Sequence, residues 1–289
     1  MRIFRRVLHG FNTGDDSPGM EVDAYVVLGA SHAVILDTLL CPTDMAFVMA
    51  AIEPELGNRQ VLCVNSHADW DHAWGNGYFK HTRLVPILAH EECRQRLLSP
   101  EASAELCDYK KRSALFAEVT LVPPTLTFRE QLMIADESLS IELLHAPGHC
   151  RDHIVAWLPA LSLLLAFDTV EKPLPCIEES ACTPLMFSTL RRLAALNPRH
   201  VLCSHSSSTS PALLRENLAY LEEIERRARL FLEQHTPTSA ELEQAATLIN
   251  YPFDEVVASL TESFDRAFYS RAHEQNVQAI LRWRMEEAR

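Results

Sequence analysis

No apolar run in the 289-residue chain approaches the roughly 20 residues that a membrane-spanning helix requires, and the N-terminal MRIFRRVLHGFN lacks the apolar stretch of an export signal. A cytoplasmic protein without a membrane partner is expected. Positive charge is also short: 26 Lys and Arg against 39 Asp and Glu leave a formal net charge of −13. Such a surface repels polyanions, so nucleic acid is not expected as a partner. The eight cysteines, Cys41, Cys63, Cys93, Cys107, Cys150, Cys176, Cys182 and Cys203, form no C-x-x-C pair, and several lie inside apolar runs. Reduced, mostly buried thiols follow. Repeats, low-complexity tracts and linkers are absent too, which favours one large domain or a main domain with an appendage.

Apolar residues make up 47% of the chain and charged residues 22%, an ordinary globular balance. Residues 22–37 read as a β-hairpin ending at Asp37, residues 42–52 as a helix and 61–65 as a buried strand. A short strand follows at 84–88. Residues 90–118 carry helical periodicity broken near Ser99-Pro100, as either a lid or a plain surface pair. Residues 125–128, 131–135 and 139–144 read as strands of a meander, then 153–158 and 161–167 as two more. A helix at 183–196 and a strand at 201–203 complete this part. From Pro211 the pattern is helical, over 211–234, 239–249 and 252–285, the last with a break near 260.

Chemistry-bearing residues gather where these strands end. The stretch VLCVNSHADWDHAWGNG, residues 61–77, holds His67, Asp69, Asp71 and His72 within six positions. In extended chain, side chains two apart share a side, and a helical turn from about His72 re-aims that imidazole. The turn His145-Ala146-Pro147-Gly148-His149 again follows a strand. Asp168 ends the apolar run LSLLLAF, and a carboxylate ending such a run calls for a partner. Ser204-His205 follows another strand.

The ordered set His67-x-Asp69-x-Asp71-His72, His149, Asp168 and His205 resembles the metallo-β-lactamase superfamily, whose pattern is H-x-H-x-D-H, then a P-G-H turn, an Asp and a late His. The resemblance runs from about residue 20 to 210. It implies a four-layer αββα sandwich over residues 1–210, with residues 211–289 as a helical C-terminal extension bordering the site. It further implies two divalent metal ions, zinc before any other: one on His67 and His149, one on Asp71, His72 and His205, bridged by Asp168. Two cations a few ångströms apart need carboxylates to offset their repulsion. The implied reaction is hydrolysis of a small ester, thioester, lactone or phosphoester by a metal-bound hydroxide that Asp71 helps to position.

One position departs from the pattern. Asp69 stands where most members have a second His, and a harder anionic ligand shifts preference from zinc toward manganese or iron. Asp69 is either a ligand or a residue that orients His67 or His149. Flavodiiron proteins, which share the fold, carry Glu at this position, so a non-haem di-iron oxidoreductase is the alternative enzyme. Against it, no Gly-rich phosphate loop or flavodoxin-like pattern follows residue 210. A catalytically silent metal-binding protein of the same fold is the third reading. Trp70 and Trp74 either wall the substrate cleft or pack beneath the ligand segment. Tyr269 and His273, one helical turn apart, either reach the cleft or pack on the domain. His145 and His153 flank the P-G-H turn as outer contacts or as core imidazoles. Cys150 and Cys203 read as packing thiols.

Overall fold

The computed structural model describes residues 1–10, 18–82 and 85–287, and its chain divides into two compact units. The first comprises Met1–Arg6, Glu21–His145 and Asp152–Leu161; the second comprises Val7–Met20, Ala146–Arg151 and Ser162–Arg289.

The first unit is built on a six-stranded sheet in plain chain order: β1 (Arg2–Leu8), β2 (Met20–Leu28), β3 (His32–Leu36), β4 (Gln60–Val64), β5 (Ile87–His90) and β6 (Leu126–Phe128). Strands β2 and β3 are the expected antiparallel hairpin, and β3 to β6 run parallel. The helix α1 (Pro42–Leu56) links β3 to β4 as a parallel pair requires. It buries Met45, Val48, Met49, Ile52 and Leu56, one helical stripe, each contributing about 1.5–3 kcal/mol. Short helices α2 (Trp70–Ala73) and α3 (Phe79–Thr82) flank a 3₁₀ turn, and α4 (Glu91–Leu97) and α5 (Pro100–Arg112) follow β5. Strands β7 (Gln131–Ala135), β8 (Ser140–His145) and β9 (Ile154–Leu158) pair antiparallel in succession.

Three features here depart from the sequence reading. Strand β1 was not foreseen; Arg5 fastens it by a two-pronged ion pair to Asp23, buried in the middle of β2. Residues 125–128 do not belong to the meander. They form β6, parallel to β5, because the Thr125 N–H is taken by the Ile87 carbonyl at 2.8 Å; periodicity finds a strand without saying which neighbour it joins. The strand expected at 84–88 begins at Ile87, and Leu84 lies outside the described residues.

The second unit holds the parallel pair β10 (Leu163–Phe167) and β11 (His200–Cys203), joined through α6 (Thr183–Ala195). Every residue of β10 is buried. After β11 come α7 (Ala212–Leu232), α8 (Ala245–Leu248), α9 (Phe253–Val256) and α10 (Arg266–Glu287). One expected helix is shorter than the periodicity suggested, and the break expected near residue 260 is present. The 239–249 stretch is a 3₁₀ turn followed by four-residue α8, ended by Asn250 at φ 52°. The 252–285 stretch is two helices, because the Asp265 carboxylate accepts the Phe268 N–H and starts α10 afresh. Among the described residues no helix is long and apolar enough to cross a membrane.

Candidate metal centre

In the first unit β4 empties into Asn65-Ser66-His67-Ala68-Asp69, and α2 starts at Trp70, two residues earlier than expected. Asp69 precedes that helix in extended backbone, and its carboxylate does not cap it. His67 and Asp69 therefore share a side: His67 Nε2 lies 3.2 Å from Asp69 Oδ2. The turn of α2 brings Asp71 round, with its Oδ2 3.6 Å from His72 Nε2. The two imidazoles are fully buried, with ring centroids 4.2 Å apart. The segment is held from behind. Thr38 N–H donates to the His72 carbonyl at 2.8 Å, and Asn65 and Asn76 exchange side-chain hydrogen bonds at 2.9 and 3.0 Å. A Cβ on Gly75 would stand 1.8 Å from the Thr38 carbonyl oxygen, so only glycine fits there.

Beneath the histidines sits Asp37, fully buried at φ 64°. Its Oδ1 accepts the Ser66 N–H at 2.6 Å, and its Oδ2 accepts the Ser66 hydroxyl at 2.7 Å and His72 Nδ1 at 2.9 Å. Having given its proton to Asp37, the Ser66 oxygen accepts from His67 Nδ1 at 2.9 Å. Both imidazoles then carry their proton on Nδ1 and a lone pair on Nε2. A lone pair and a carboxylate oxygen 3.2 Å apart repel unless a proton or a cation lies between them.

Asp69 has a second engagement. Its Oδ1 accepts Arg96 Nη2 at 2.5 Å, and Arg96 Nη1 also bonds the buried Asp152 Oδ1. Asp152 Oδ2 in turn accepts the Ala68 N–H at 2.9 Å. One guanidinium fork thus fixes the ligand segment and offsets the anionic charge that Asp69 brings.

In the second unit His149 follows Gly148, where a Cβ would meet Met186 Sδ at 2.5 Å and its Cα at 2.8 Å. His149 Nδ1 donates to the Cys176 carbonyl at 2.9 Å, which again leaves the lone pair on Nε2. Asp168 ends β10, and its Oδ2 lies 3.1 Å from His205 Nε2 and 3.9 Å from His149 Nε2. One carboxylate oxygen between two imidazoles suits a bridging role. A further carboxylate, Glu171, is 3% exposed; one ligand atom each from Asp168, Glu171 and His205 lie within 4.8 Å of one another. Burial pushes the Glu171 carboxyl up, and the His205 imidazole opposes that shift.

The donors fit divalent cations. Metal–ligand bonds of about 2.0–2.1 Å place adjacent donor atoms roughly 3 Å apart, close to the 3.1, 3.2 and 3.6 Å separations of the three His–Asp pairs. The groups named above offer imidazole nitrogen and carboxylate oxygen, and in the second unit the Cys150 thiol also lies within 4.8 Å of a His149 ring nitrogen. The cysteines beside the ligands, Cys150 and Cys203, are buried.

The remaining candidates are placed as follows. Trp74 is 1% exposed, and Trp70 is half-buried; both pack on Tyr109 of α5 and on Phe116. Through these rings α5 is anchored to the ligand segment. Tyr269 is buried and donates to Glu171 Oε2 at 3.0 Å. His273 is 1% exposed and engages both nitrogens, donating from Nε2 to the Tyr251 carbonyl at 2.7 Å and accepting the Tyr220 hydroxyl at Nδ1 at 2.8 Å. His153 lies in the first unit with its ring 4.9 Å from His67, while His145 stacks on His90 at 3.9 Å. Asp37, Ser66, Arg96, Asp152, Glu171 and Asn217 were not assigned roles from the sequence. For Asp37 a signal existed: like Asp168, it is a carboxylate ending an apolar strand.

The metallo-β-lactamase superfamily model matches residues 18–205. Among solved structures, a metallo-β-lactamase family protein from Thermus thermophilus is 20% identical, with a TM-score of 0.67 over 99% of this chain and 93% of that one. A metallo-β-lactamase from Erythrobacter litoralis, solved with β-mercaptoethanol in its active site, is 18% identical, with a TM-score of 0.59 over 76% of this chain and 92% of its own. One from Pontibacter korlensis is 19% identical, with a TM-score of 0.57 over 75% and 91%. No curated protein sequence matches. With its family pattern matched over most of its length and its α/β fold shared with these structures, the chain belongs to the metallo-β-lactamase superfamily.

Proposed function

We propose that the protein is a dinuclear metal-dependent hydrolase acting on a small ester, thioester, lactone or phosphoester. The superfamily consists mostly of metal-dependent hydrolases that bind divalent metals. The observation that carries the reading is the common tautomer of three histidines: His67, His72 and His149 each have Nδ1 held by an acceptor, which reserves Nε2 for a cation. By the family's motif order, His67 and His149, with Asp69 beside them, would hold one metal, Asp71, His72 and His205 would hold the other, and Asp168 would serve both. Divalent cations bound there activate water near neutral pH and stabilise the oxyanion that hydrolysis generates.

The chain's own residues supply the rest. Asp71 would help to position the attacking water. Asp37 and Ser66 hold the imidazoles at fixed tautomer, and Arg96 keeps the Asp69 carboxylate from adding uncompensated charge. Trp70, half-buried beside the ligands, offers an apolar wall to a substrate. Residues 211–289 act as a helical extension to the domain of residues 1–210, bordering the Asp168–His205 end of the site, as the Tyr269 bond to Glu171 suggests.

Metal analysis of protein purified without added metal, beside turnover on a panel of esters, thioesters, lactones and phosphodiesters, tests this. Two divalent ions per chain and turnover are expected, both reduced in Asp168→Asn and His149→Ala. Variants with unchanged metal content and turnover would sink the proposal. Iron with optical bands and turnover of oxygen or nitric oxide would install the di-iron reading instead. Full metal occupancy with no turnover would favour a silent binding protein.

A further inference from the structure

We propose that Glu171 is an additional ligand of the metal held at Asp168 and His205, and that it makes this position select manganese or iron(II) over zinc. The inference rests on the hydrolase reading only in taking Asp168 and His205 as metal ligands.

Glu171 stands three residues beyond Asp168 and is held from the helical tail on two sides. The Asn217 side chain of α7 clamps its backbone, Oδ1 accepting the Glu171 N–H at 2.9 Å and Nδ2 donating to the Glu171 carbonyl at 3.0 Å. Tyr269 of α10 donates its hydroxyl to Oε2 at 3.0 Å, and the Cys176 thiol approaches the same oxygen at 3.9 Å. Asn217 and Tyr269 are themselves 2% and 6% exposed. The donors to the carboxylate are a phenol and a thiol, both neutral. They orient the carboxylate without offsetting its charge.

Charge then decides what the pocket requires. Asp168 and Glu171 bring two carboxylates into the interior, with His205 completing a set whose ligand atoms lie within 4.8 Å of one another. Two carboxylates buried at that separation are costly unless a proton or a cation joins them, and a divalent ion bonds both at once. With Glu171 added, the donors proposed for this metal are three carboxylates, Asp71, Asp168 and Glu171, and two imidazoles, His72 and His205, a harder set than the histidine-rich one that zinc favours, and oxygen ligands suit manganese and iron(II). The change at Asp69 points the same way from the other end of the motif. The tail helices α7 and α10 thereby hold a metal ligand in place.

Glu171→Gln keeps the shape and the acceptor for Tyr269 while removing the anionic oxygen. Metal-free wild type and variant are compared first by thermal unfolding, and manganese and zinc affinities are then measured by competition with a chromophoric chelator, with manganese EPR counting bound ions. The expected result is an unchanged midpoint, loss of at least about a hundredfold in manganese affinity at one of two sites, and a smaller loss for zinc, so that the preference narrows. Wild-type manganese affinity in a stably folded variant overturns the proposal. Should Glu171→Gln fail to fold, a crystal structure of manganese-loaded wild type decides: a Glu171 oxygen within about 2.0–2.6 Å of the ion supports it, and a longer distance overturns it. Absence of any bound metal in wild type refutes the hydrolase reading itself, a distinguishable outcome.

Discussion

Replacing Asp37 by Asn probes the support beneath the histidines with little change of shape. Asn tolerates the left-handed backbone that Asp37 adopts at φ 64°, so the chain path is kept. The amide, however, has only one accepting atom where the carboxylate has two. If its oxygen faces the Ser66 hydroxyl and His72 Nδ1, its NH₂ meets the Ser66 N–H, now 2.6 Å from a carboxylate oxygen; turned over, it strands the other two donors. At least one buried donor loses its partner, at about 1–3 kcal/mol, and the surviving bonds lose charge assistance, so the metal-free protein should lose roughly 2–4 kcal/mol. Loosening the His72 ring should also weaken metal binding about 10–100-fold, or about 1.4–2.7 kcal/mol. Thermal unfolding of the metal-free protein measures the first effect and chelator competition the second. A midpoint shift worth less than about 0.5 kcal/mol together with unchanged affinity would refute the reasoning.

Arg96→Ala should cost about 2–4 kcal/mol, because it removes the guanidinium shared by Asp69 and buried Asp152; Arg96→Lys should recover only part, since one ammonium does not span both carboxylates. Unfolding midpoints check this, and an Ala variant as stable as wild type would contradict it. Acid should weaken the helical layer through His273. Burial lowers its pKa below the ordinary 6.5, so as pH falls the unfolded chain takes up the proton first. Its contribution is complete above about pH 6.5 and is lost as pH falls through the native value, at no more than about 1.4 kcal/mol per pH unit. His273→Gln should flatten the fall in stability between pH 8 and pH 5.5, and parallel profiles would rule this origin out.

The strand-end pattern His67-x-Asp69-x-Asp71-His72, His149, Asp168, His205 was legible in the sequence because it is local: each of these groups follows an apolar run that declares its own strand. The hairpin, α1, the break at Ser99-Pro100 and the helical tail were legible for the same reason, through periods of two and 3.6 residues. Periodicity carries no address, however, and so β6 was assigned to the wrong neighbours and β1 went unseen until Arg5 found Asp23.

The sequence by itself determined the family, the fold class and the type of donor atom at each strand end. The tertiary structure alone decided what stands behind those donors. Asp37 and Ser66 are separated by 29 positions, Arg96 and Asp69 by 27, Glu171 and Tyr269 by 98. A buried polar group must find a partner wherever the fold brings one, and no sequence spacing encodes that choice. Asp69 gives the clearest case: the chain shows a carboxylate where an imidazole is usual, and only the fold shows the guanidinium that makes it tolerable.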